Sequence, residues 1–559
     1  MSQQLADLLF PDVKDTVEYY RNQYPSRIAW QKVTRFAPSP TGFLHIGGVY
    51  SAYISQRLAH QWWENGIFFL RIEDTDQKRQ VAWACDLIIN GLKRFGIQID
   101  EGPIWPSNAA VGQYGPYVQS ERKDIYAVFV KHFVAAWLAY PCWMSESEIE
   151  ATRTMQQAAK KVPGIYGHYS KWRDASFETQ QEMIASGAPF VIRFKATAHL
   201  GDKVVVKDVI KGDVVTQDNF IDMVLLKSTD GLPTYHMAHL VDDYLMWTTH
   251  VVRGDEWFAS MPFHLQLFAA LGVEAPSYCH FSPLLKLDPE TANKRKLSKR
   301  HDPEANVEYF FQQWIPTDAI LEFLTNIVDP FFEERQKNNI DKTYKDYTFD
   351  ITHMNQAGAL LDITKLYFVS KEWLARLSKE EFVKRALEWA EEYGEEMSVM
   401  NNELHIVDLM KKYPEYTFDA LNIERLTPAD PKRYRMFSDI LIQLPVFYDE
   451  VYEKIVAKKP QLPEACSPEN MKNFLAEYET VLDLTMTKED WFVQFKDVGK
   501  KYAFAPSNSE FKEWGYVGRI GDLAMFFRVQ LMCSPTTPDL YESMKVMWKE
   551  RVLKRLAAI

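Results

Sequence analysis

The residues best suited to chemistry near the start of this chain are a histidine and two glycines. His45 precedes Gly47 and Gly48 in the run L-H-I-G-G. Glycine lets a backbone approach a phosphate closely, and a helix that begins there directs its positive end and unpaired N–H groups towards an anion. His45 would add a donor. A histidine before glycines is more often an ordinary turn residue, so the run alone is a weak indication of a phosphate site.

A basic segment about 250 residues further along the chain provides a second set of charged side chains. Lys294–Arg300 reads K-R-K-L-S-K-R and contains Lys296, Ser298 and Lys299, in a chain of net charge −12. Such a run by itself is about as often a solvated surface as a binding site. Because the histidine–glycine turn and the basic segment would both suit one triphosphate, together they predict the two halves of an ATP site.

The elements that must position His45 follow a strand–helix–strand order. The sequence predicts a strand over Lys32–Ala37, a helix from the glycines to Gly66, and a second strand over Ile67–Ile72. Two short apolar strands around one helix are typical of a nucleotide-binding βαβ unit. A further helix is predicted over Val81–Phe95, ended by Gly96.

Several motifs together resemble those of glutamyl-tRNA synthetases, which are class I aminoacyl-tRNA synthetases. The runs A-P-S-P-T-G, R-I-E-D-T-D, L-P-T-Y-H and V-V-R-G-D-E-W look like that family's, and H-I-G-G and K-L-S-K-R resemble its H-I-G-H and K-M-S-K-S motifs. The resemblance implies that glutamate is activated with ATP, normally accompanied by Mg²⁺, and is then transferred to tRNA-Glu. It implies catalytic roles for His45, Lys296 and Lys299, and an ATP site formed by His45, Gly47, Gly48, Glu256, Lys296, Ser298 and Lys299.

The glutamate pocket is predicted around two arginines. Arg35 lies on the first strand and Arg253 follows a short strand, His250–Val252, so both can face the crevice at the strand ends. An arginine binds a carboxylate through two parallel hydrogen bonds, which lysine cannot reproduce. We expect Arg253 to bind the side-chain carboxylate of glutamate, and the resemblance implies that Glu73 pairs with the α-ammonium. It also places in the pocket Ser39, Tyr235 and, less firmly, His239, which stands where many relatives have Asn and whose partial protonation would add pH dependence.

The predicted fold is α/β: a Rossmann-like doubly wound catalytic domain with an α+β insertion, followed by an all-α C-terminal anticodon-binding region. The length of 559 residues favours three to five domains. The predicted boundaries are 1–31 for an N-terminal extension, 32–117 and 235–287 for the catalytic fold, 118–234 for an acceptor-end-binding insertion, 288–371 for the basic loop and stem-contact domain, and 372–559 for the helical region.

Composition indicates a cytosolic protein without membrane spans or disulfides. No apolar run reaches about 20 residues, and the first ten residues lack the pattern of a signal peptide. The five cysteines are widely spaced. Some relatives bind zinc in the insertion through cysteines, but Cys142 and His168 would supply only two of four ligands, so no structural zinc is expected. A monomer is expected.

Other functions stay open to different degrees. Glutaminyl-tRNA synthetases usually end in β-barrels and have P-P-E-P-N-G where this chain has A-P-S-P-T-G, and shortened relatives that modify a tRNA base lack the C-terminal half. A different nucleotidyltransferase and a catalytically silent tRNA-binding paralogue are further alternatives. The negative net charge argues mildly against nucleic acid, so tRNA binding depends on the resemblance. Whether tRNA-Gln is also charged is left open.

Overall fold

The computed structural model describes residues 1–28, 30–61, 65–81, 83–104, 109–298, 301–339, 342–348, 350–397, 405–425, 433–512 and 515–558, without the side chains of 394–397. The chain forms two compact units. The first contains Met1–Val307 and Leu321–Asp362, and the second contains Glu308–Ile320 and Ile363–Ile559. The finer domain boundaries given above stay predictions.

The first unit is a mixed α/β structure. Its strands are β1 (Val33–Phe36), β2 (Ile67–Leu70), β3 (Gly102–Ile104), β4 (Ala109–Val111), β5 (Ala139–Cys142), β6 (Val191–Phe194), β7 (Lys203–Asp208), β8 (Gly212–Gln217), β9 (Val224–Leu226), β10 (His250–Gly254), β11 (Ser277–Phe281), β12 (Leu284–Leu287), β13 (Lys294–Lys296) and β14 (Ala359–Leu360). Its helices are α1 (Ser2–Leu9), α2 (Val17–Gln23), α3 (Ile46–His60), α4 (Ala84–Arg94), α5 (Lys123–Ala135), α6 (Glu146–Ala158), α7 (Phe177–Ala185), α8 (Tyr235–Leu245), α9 (Met261–Leu271) and α12 (Phe332–Lys337). The chain passes between the units within α10 (Val307–Gln313) and α11 (Thr317–Val328).

The predicted βαβ unit is confirmed. β1 and β2 pair in parallel, with Val33 opposite Ile67, and α3 connects them. Helix α3 is buried along much of its length, as a crossover helix must be to cover a sheet face. A Cβ on Gly66 would collide with the carbonyl oxygen of Ala59, so glycine is required where the chain returns from α3 to β2. The predicted second helix is also present, and Gly96 after it has a φ of +68°.

A second sheet contains β10, the strand on which the predicted pocket residue Arg253 lies. Its strand order is β10-β11-β7-β8, in which β10 and β11 run parallel and β7 and β8 form an antiparallel hairpin. This hairpin belongs to the predicted insertion, yet β7 pairs with β11 at Asp208 and Tyr278. The remainder of that insertion contains a small antiparallel sheet in the order β5-β6-β9.

The N-terminal segment, whose role the sequence does not indicate, packs into the core of the first unit. Leu5, Ala6, Val17 and Tyr24 are buried in the same apolar cluster as the inner face of α5. Arg27 forms two hydrogen bonds with Glu101, at 2.8 and 2.9 Å. Residues 1–28 are therefore part of the folded unit.

The second unit is predominantly helical. Its helices are α13 (Ile363–Arg376), α14 (Lys379–Met397), α15 (Ile406–Lys412), α16 (Pro414–Asn422), α17 (Ile440–Gln443), α18 (Asp449–Ile455), α19 (Pro468–Val481), α20 (Lys488–Lys501), α21 (Ile520–Met532) and α22 (Leu540–Ala557). It departs from the predicted all-α region in one detail, because β15 (Phe504–Ala505) and β16 (Gly518–Arg519) form a short parallel pair. In the part of the chain that the structure describes, no helix is long and apolar enough to cross a membrane.

Candidate active site

A cavity of about 390 Å³ in the first unit brings together most of the predicted site residues. Its lining includes Arg35, Ser39, His45, Gly47, Gly48, Glu73, Tyr235, Arg253, Glu256, Trp257 and Lys296. Ser298 and His239 are not among the described residues that line it. Lys299 lies outside the described residues, so its predicted role is untested.

His45 is the N-cap of α3. Its Nδ1 accepts a hydrogen bond of 2.9 Å from the amide of Gly47, while its carbonyl oxygen accepts one of 2.7 Å from the amide of Gly48. The expectation that these two N–H groups are unpaired is therefore wrong, because His45 itself caps them. With Nδ1 accepting, a neutral imidazole carries its proton on Nε2 and can donate from there. A Cβ on Gly48 would lie 3.1 Å from Leu44 and 3.3 Å from Phe36, so packing also favours glycine there.

The basic segment begins as a strand and is tied to one buried acid. β13 pairs antiparallel with β12, and this pairing sets Lys296 in the cavity wall, 4.0 Å from Glu256. Asp302 accepts two hydrogen bonds from Arg295, at 2.6 and 2.8 Å, and one of 2.8 Å from the amide of Ser298. The hydrogen bonds from Arg295 hold the pKa of Asp302 below its usual value. Ser298 thus contributes its backbone to the segment's anchor.

Arg35 is neutralised by a carboxylate. Its Nε lies 3.3 Å from Oδ1 of Asp243, which also accepts a hydrogen bond of 2.7 Å from Arg71. Arg71 donates in turn to Glu73, at 2.9 Å. Burial alone would raise the pKa of Asp243, but the charges of Arg35 and Arg71 more than offset it and keep that pKa well below its usual value. Burial raises the pKa of Glu73 in spite of Arg71.

The neighbouring acid on α8, Asp242, extends this network away from the cavity. Its Oδ1 accepts a hydrogen bond of 2.8 Å from Arg122, and it also accepts hydrogen bonds from Tyr126 and Gln119. Arg122 further donates to the hydroxyl of Tyr24, at 3.2 Å. We call Arg35, Arg71, Arg122, Asp242, Asp243 and Glu73 the carboxylate network. It contains three guanidinium and three carboxylate groups, so its charges balance.

Arg253 has uncharged partners. Arg253 is 5% exposed, and its Nε donates to Nε2 of His280 at 2.9 Å. Its terminal nitrogens donate to the hydroxyl of Tyr235 and to Nδ1 of His264, both at 3.1 Å, and one lies 3.1 Å from the sulfur of Met261. Among the described residues, no carboxylate forms an ion pair with Arg253. A cation so deeply buried needs an anionic partner, and the open cavity is where a ligand can supply one.

His239 lies behind the pocket. It is fully buried, its ring stacks on that of Tyr235 at a centroid distance of 5.9 Å, and its Nδ1 is 2.6 Å from Asp243. Burial lowers the pKa of His239 to about 3, so the imidazole is neutral near pH 7. His239 thus supports Tyr235 from outside the cavity, and its place in the glutamate pocket stays a prediction.

A family profile described as "tRNA synthetases class I (E and Q), catalytic domain" matches residues 31–368, which include every residue of the cavity. A protein of Clostridium perfringens (strain 13 / Type A), described as a glutamate–tRNA ligase, is 41% identical over 556 residues, which cover 99% of both chains. The chain belongs to the glutamate–tRNA ligase family.

Further relatives carry the same description. A protein of Sorangium cellulosum (strain So ce56) is 38% identical over 580 residues, covering 98% of this chain and 99% of its own. Among solved structures, a glutamate–tRNA ligase from Elizabethkingia meningosepticum, crystallised in complex with its amino acid, superimposes with a TM-score of 0.72. It is 26% identical and covers 94% of this chain and 98% of its own. The predicted family and fold class are thereby confirmed.

The predicted absence of a structural zinc remains a prediction. Cys142 is buried on β5, and His168 lies in a 3₁₀ turn at Gly167–Tyr169. Within the described ranges, no group of three or more His, Cys, Asp and Glu side chains is placed so that it could hold a metal ion. Metal analysis of the purified protein is the direct test, and about one zinc per chain would contradict the expectation.

Sequence reasoning missed the residues behind the two pocket arginines. Asp243 and Asp242 pair with Arg35, Arg71 and Arg122, and His264 and His280 contact Arg253. One signal was present: α8 reads Y-H-M-A-H-L-V-D-D, in which Tyr235, His239 and Asp243 are spaced at i, i+4 and i+8 and share a helix face. A polar stripe on an otherwise apolar helix indicates a buried network.

Proposed function

We propose that this chain activates L-glutamate with ATP to form glutamyl-adenylate and transfers the glutamyl group to the 3′ end of tRNA-Glu. The proposal depends most on Arg253, a buried guanidinium whose contacts are with uncharged side chains at the edge of a cavity. The side-chain carboxylate of glutamate would neutralise it, whereas neutral glutamine would leave it uncompensated. That difference is of the kind that separates substrates by several kcal/mol, about 10³-fold or more.

The remaining pocket residues suit the other groups of glutamate. Glu73 keeps a carboxylate at the cavity wall for the α-ammonium, and Arg71 fixes its orientation. Arg35 and Ser39 line the cavity beside it and would bind the α-carboxylate. The hydroxyl of Tyr235 accepts a hydrogen bond from Arg253, so its own proton is available to a ligand oxygen.

ATP, carried with Mg²⁺, would occupy the part of the cavity between the N-terminus of α3 and the basic segment. His45 would donate from Nε2 to a phosphate oxygen, Lys296 would neutralise charge on the leaving pyrophosphate, and Glu256 would contact the nucleotide. The glutamate α-carboxylate attacks the α-phosphorus, the bond to pyrophosphate breaks, and a ribose hydroxyl of tRNA then takes the glutamyl group from AMP. These steps need positioned donors rather than a protein nucleophile. Gly47 and Gly48 line this part of the cavity, whereas the roles of Ser298 and Lys299 in binding ATP stay predictions from the sequence.

The predominantly helical second unit would bind the anticodon of tRNA, and the enzyme would act in the cytoplasm as a monomer. Charging of purified tRNA-Glu and tRNA-Gln in separate assays decides whether the second is also a substrate. Formation of glutamyl-tRNA by the wild-type protein supports the proposed function, and its absence with both tRNAs would contradict it.

His45→Ala provides the matched test of the nucleotide site. It should lower the rate of glutamyl-adenylate formation by about 10²–10³-fold, the scale of losing one preorganised donor. The preference for glutamate over glutamine should stay unchanged, since His45 lies at α3 and not beside Arg253. Single-turnover adenylate formation measures the first quantity, and charging with each amino acid measures the second. A near-wild-type rate would remove His45 from the reaction.

A further inference from the structure

Two buried histidines behind the cavity are not used by the proposed reaction. His264 on α9 and His280 on β11 are both fully buried, and each contacts the guanidinium of Arg253. Asp208 and His236 contact the far sides of these two rings. We call His236, His264 and His280 the imidazole cluster. Its hydrogen bonds are sufficient to assign a proton position to each ring.

The protonation of His280 follows from its two neighbours. Arg253 can only donate, so Nε2 of His280 must accept the hydrogen bond of 2.9 Å from Arg253 Nε. The proton of a neutral ring is then on Nδ1, which lies 2.7 Å from Oδ2 of Asp208 and donates to it. Asp208 also accepts hydrogen bonds from the amides of Ile210 and Lys211, both at 3.0 Å, so its carboxylate is held in place.

The same reasoning fixes His264 and then His236. Nδ1 of His264 accepts from Arg253 at 3.1 Å, which leaves the proton on Nε2. That Nε2 lies 2.8 Å from Nδ1 of His236 and must donate to it, so the proton of His236 is on its own Nε2. Two ring nitrogens of defined orientation, Nδ1 of His264 and Nε2 of His280, therefore accept hydrogen bonds from the guanidinium of Arg253 on its protein side.

These acceptors carry no charge near pH 7. Burial lowers the pKa of His264 well below its usual value, and it lowers the pKa of His236 to about 4. Burial also lowers the pKa of His280 in spite of its hydrogen bond to Asp208. A carboxylate in either position would make the same hydrogen bond but would neutralise the guanidinium, as Asp243 does for Arg35.

We propose that His264 and His280 are positioning residues that aim the guanidinium of Arg253 at the side-chain carboxylate of glutamate while leaving its positive charge uncompensated. The inference rests on the proposed function, because it concerns how that site distinguishes glutamate from glutamine. The proposal requires that His264 and His280 accept hydrogen bonds without carrying charge. If the two histidines had only a structural role, they would need only to fit the space.

The test compares two variants that differ by one charge. In His264→Asn and His264→Asp, a side-chain oxygen can take the place of Nδ1 and accept from Arg253, but only the second variant is anionic. We expect His264→Asp to raise KM for glutamate by about tenfold or more, with kcat changed less than about threefold, because the aspartate competes with the substrate carboxylate. Glutamine charging should be little affected, so the Glu/Gln ratio of kcat/KM falls. His264→Asn should keep the wild-type ratio within about threefold.

The outcomes separate this inference from the proposed function. If wild-type protein does not charge tRNA with glutamate, the proposed function fails. If wild-type protein charges it and both variants change the Glu/Gln ratio equally, or His264→Asp keeps the wild-type ratio, the inference about neutral acceptors is overturned.

A measurement on the wild-type protein tests the proposal without requiring that His264→Asp folds. In protein labelled with ¹⁵N in histidine, two-bond ring correlations report which nitrogen carries the proton. We expect Nε2–H at His264 and Nδ1–H at His280 at about pH 7.5, with His264→Asn used to assign its resonances. An imidazolium at either residue, or the opposite tautomer, would overturn the proposal even if His264→Asp failed to fold.

Discussion

The two pocket arginines have opposite electrostatic surroundings although both line one cavity. Arg35, 3% exposed, pairs with Asp243, and the carboxylate network around it has as many acids as arginines. Arg253, 5% exposed, is held by His264, His280 and Tyr235, all uncharged near pH 7. Burial therefore does not distinguish the two residues, whereas the charge of their partners does.

The difference indicates a division of labour. An arginine whose charge is already balanced can hold a substrate in place without strongly preferring an anion, and it supports the fold while the site is empty. Burying an arginine among neutral partners costs free energy, and a bound carboxylate offsets that cost. On this account the carboxylate network stabilises the catalytic unit, and the imidazole cluster with Arg253 provides selectivity.

The largest expected effect is on stability at Asp243. Asp243→Asn should lower the free energy of unfolding by about 3–5 kcal/mol, since it leaves Arg35 and Arg71 buried with one acid fewer. Asp208→Asn is the matched control near Arg253, because the carboxylate of Asp208 accepts hydrogen bonds from the neutral imidazole of His280 and from backbone amides. It should cost about 1–2 kcal/mol. Chemical denaturation of both variants measures the difference, and equal losses would contradict the division.

A smaller effect is expected on acidification. His236 has a folded pKa of about 4 and an unfolded pKa near 6.5, so between these values the unfolded chain binds more protons than the folded one. The stability due to the neutral ring is complete above about pH 6.5 and is lost as the pH falls towards 4, by about 3 kcal/mol. Asp243, with its depressed pKa, keeps its contribution above about pH 3.9 and loses it only as the pH falls further.

The acid effect is tested with His236→Asn, which keeps an acceptor for His264 but cannot be protonated. Unfolding free energies measured at about pH 7.5, 6 and 5 should fall less steeply for the variant than for wild-type protein. Identical slopes would mean that other groups control the acid response and that His236 is not neutral in the fold.

The smallest expected effect is at the outer end of the carboxylate network. Tyr24→Phe removes a hydroxyl that donates to the carbonyl of Gly115 at 3.0 Å and accepts from Arg122 at 3.2 Å. It should lower the free energy of unfolding by about 1 kcal/mol and leave the Glu/Gln preference unchanged, because Arg122 does not line the cavity. A change in preference without a change in stability would connect the N-terminal segment to selectivity instead.

Local pattern was sufficient to predict the nucleotide-binding half of the site. The βαβ unit depends on short apolar strands and on glycines whose positions are fixed by local sterics, and both can be read along the chain. The placement of His45, Arg35 and Arg253 at one cavity also followed from the resemblance and from their positions on the strands. The state of the Gly47 amide could not be predicted, because it depends on the rotamer of His45.

Most partners of the arginines could not be predicted, because they lie on other elements of the fold. His264 and His280 come from α9 and β11, and Asp243 is 208 residues from Arg35. A lone buried histidine has no sequence periodicity of its own. The docking of residues 1–28 depends on long-range contacts such as that of Arg27 with Glu101, which local propensity does not indicate. Lys299 stays a prediction, since it falls outside the described residues.

The most direct test of the central claim is the substrate preference of Arg253→Cys. The measurement is kcat/KM for glutamate and for glutamine, with saturating ATP and tRNA-Glu, for wild-type protein and the variant. The account predicts that glutamate charging falls strongly while the Glu/Gln ratio moves towards one, by about 10²-fold or more, because the uncompensated cation is gone. An unchanged ratio would contradict it, and Arg35 would then become the residue that reads the side-chain carboxylate.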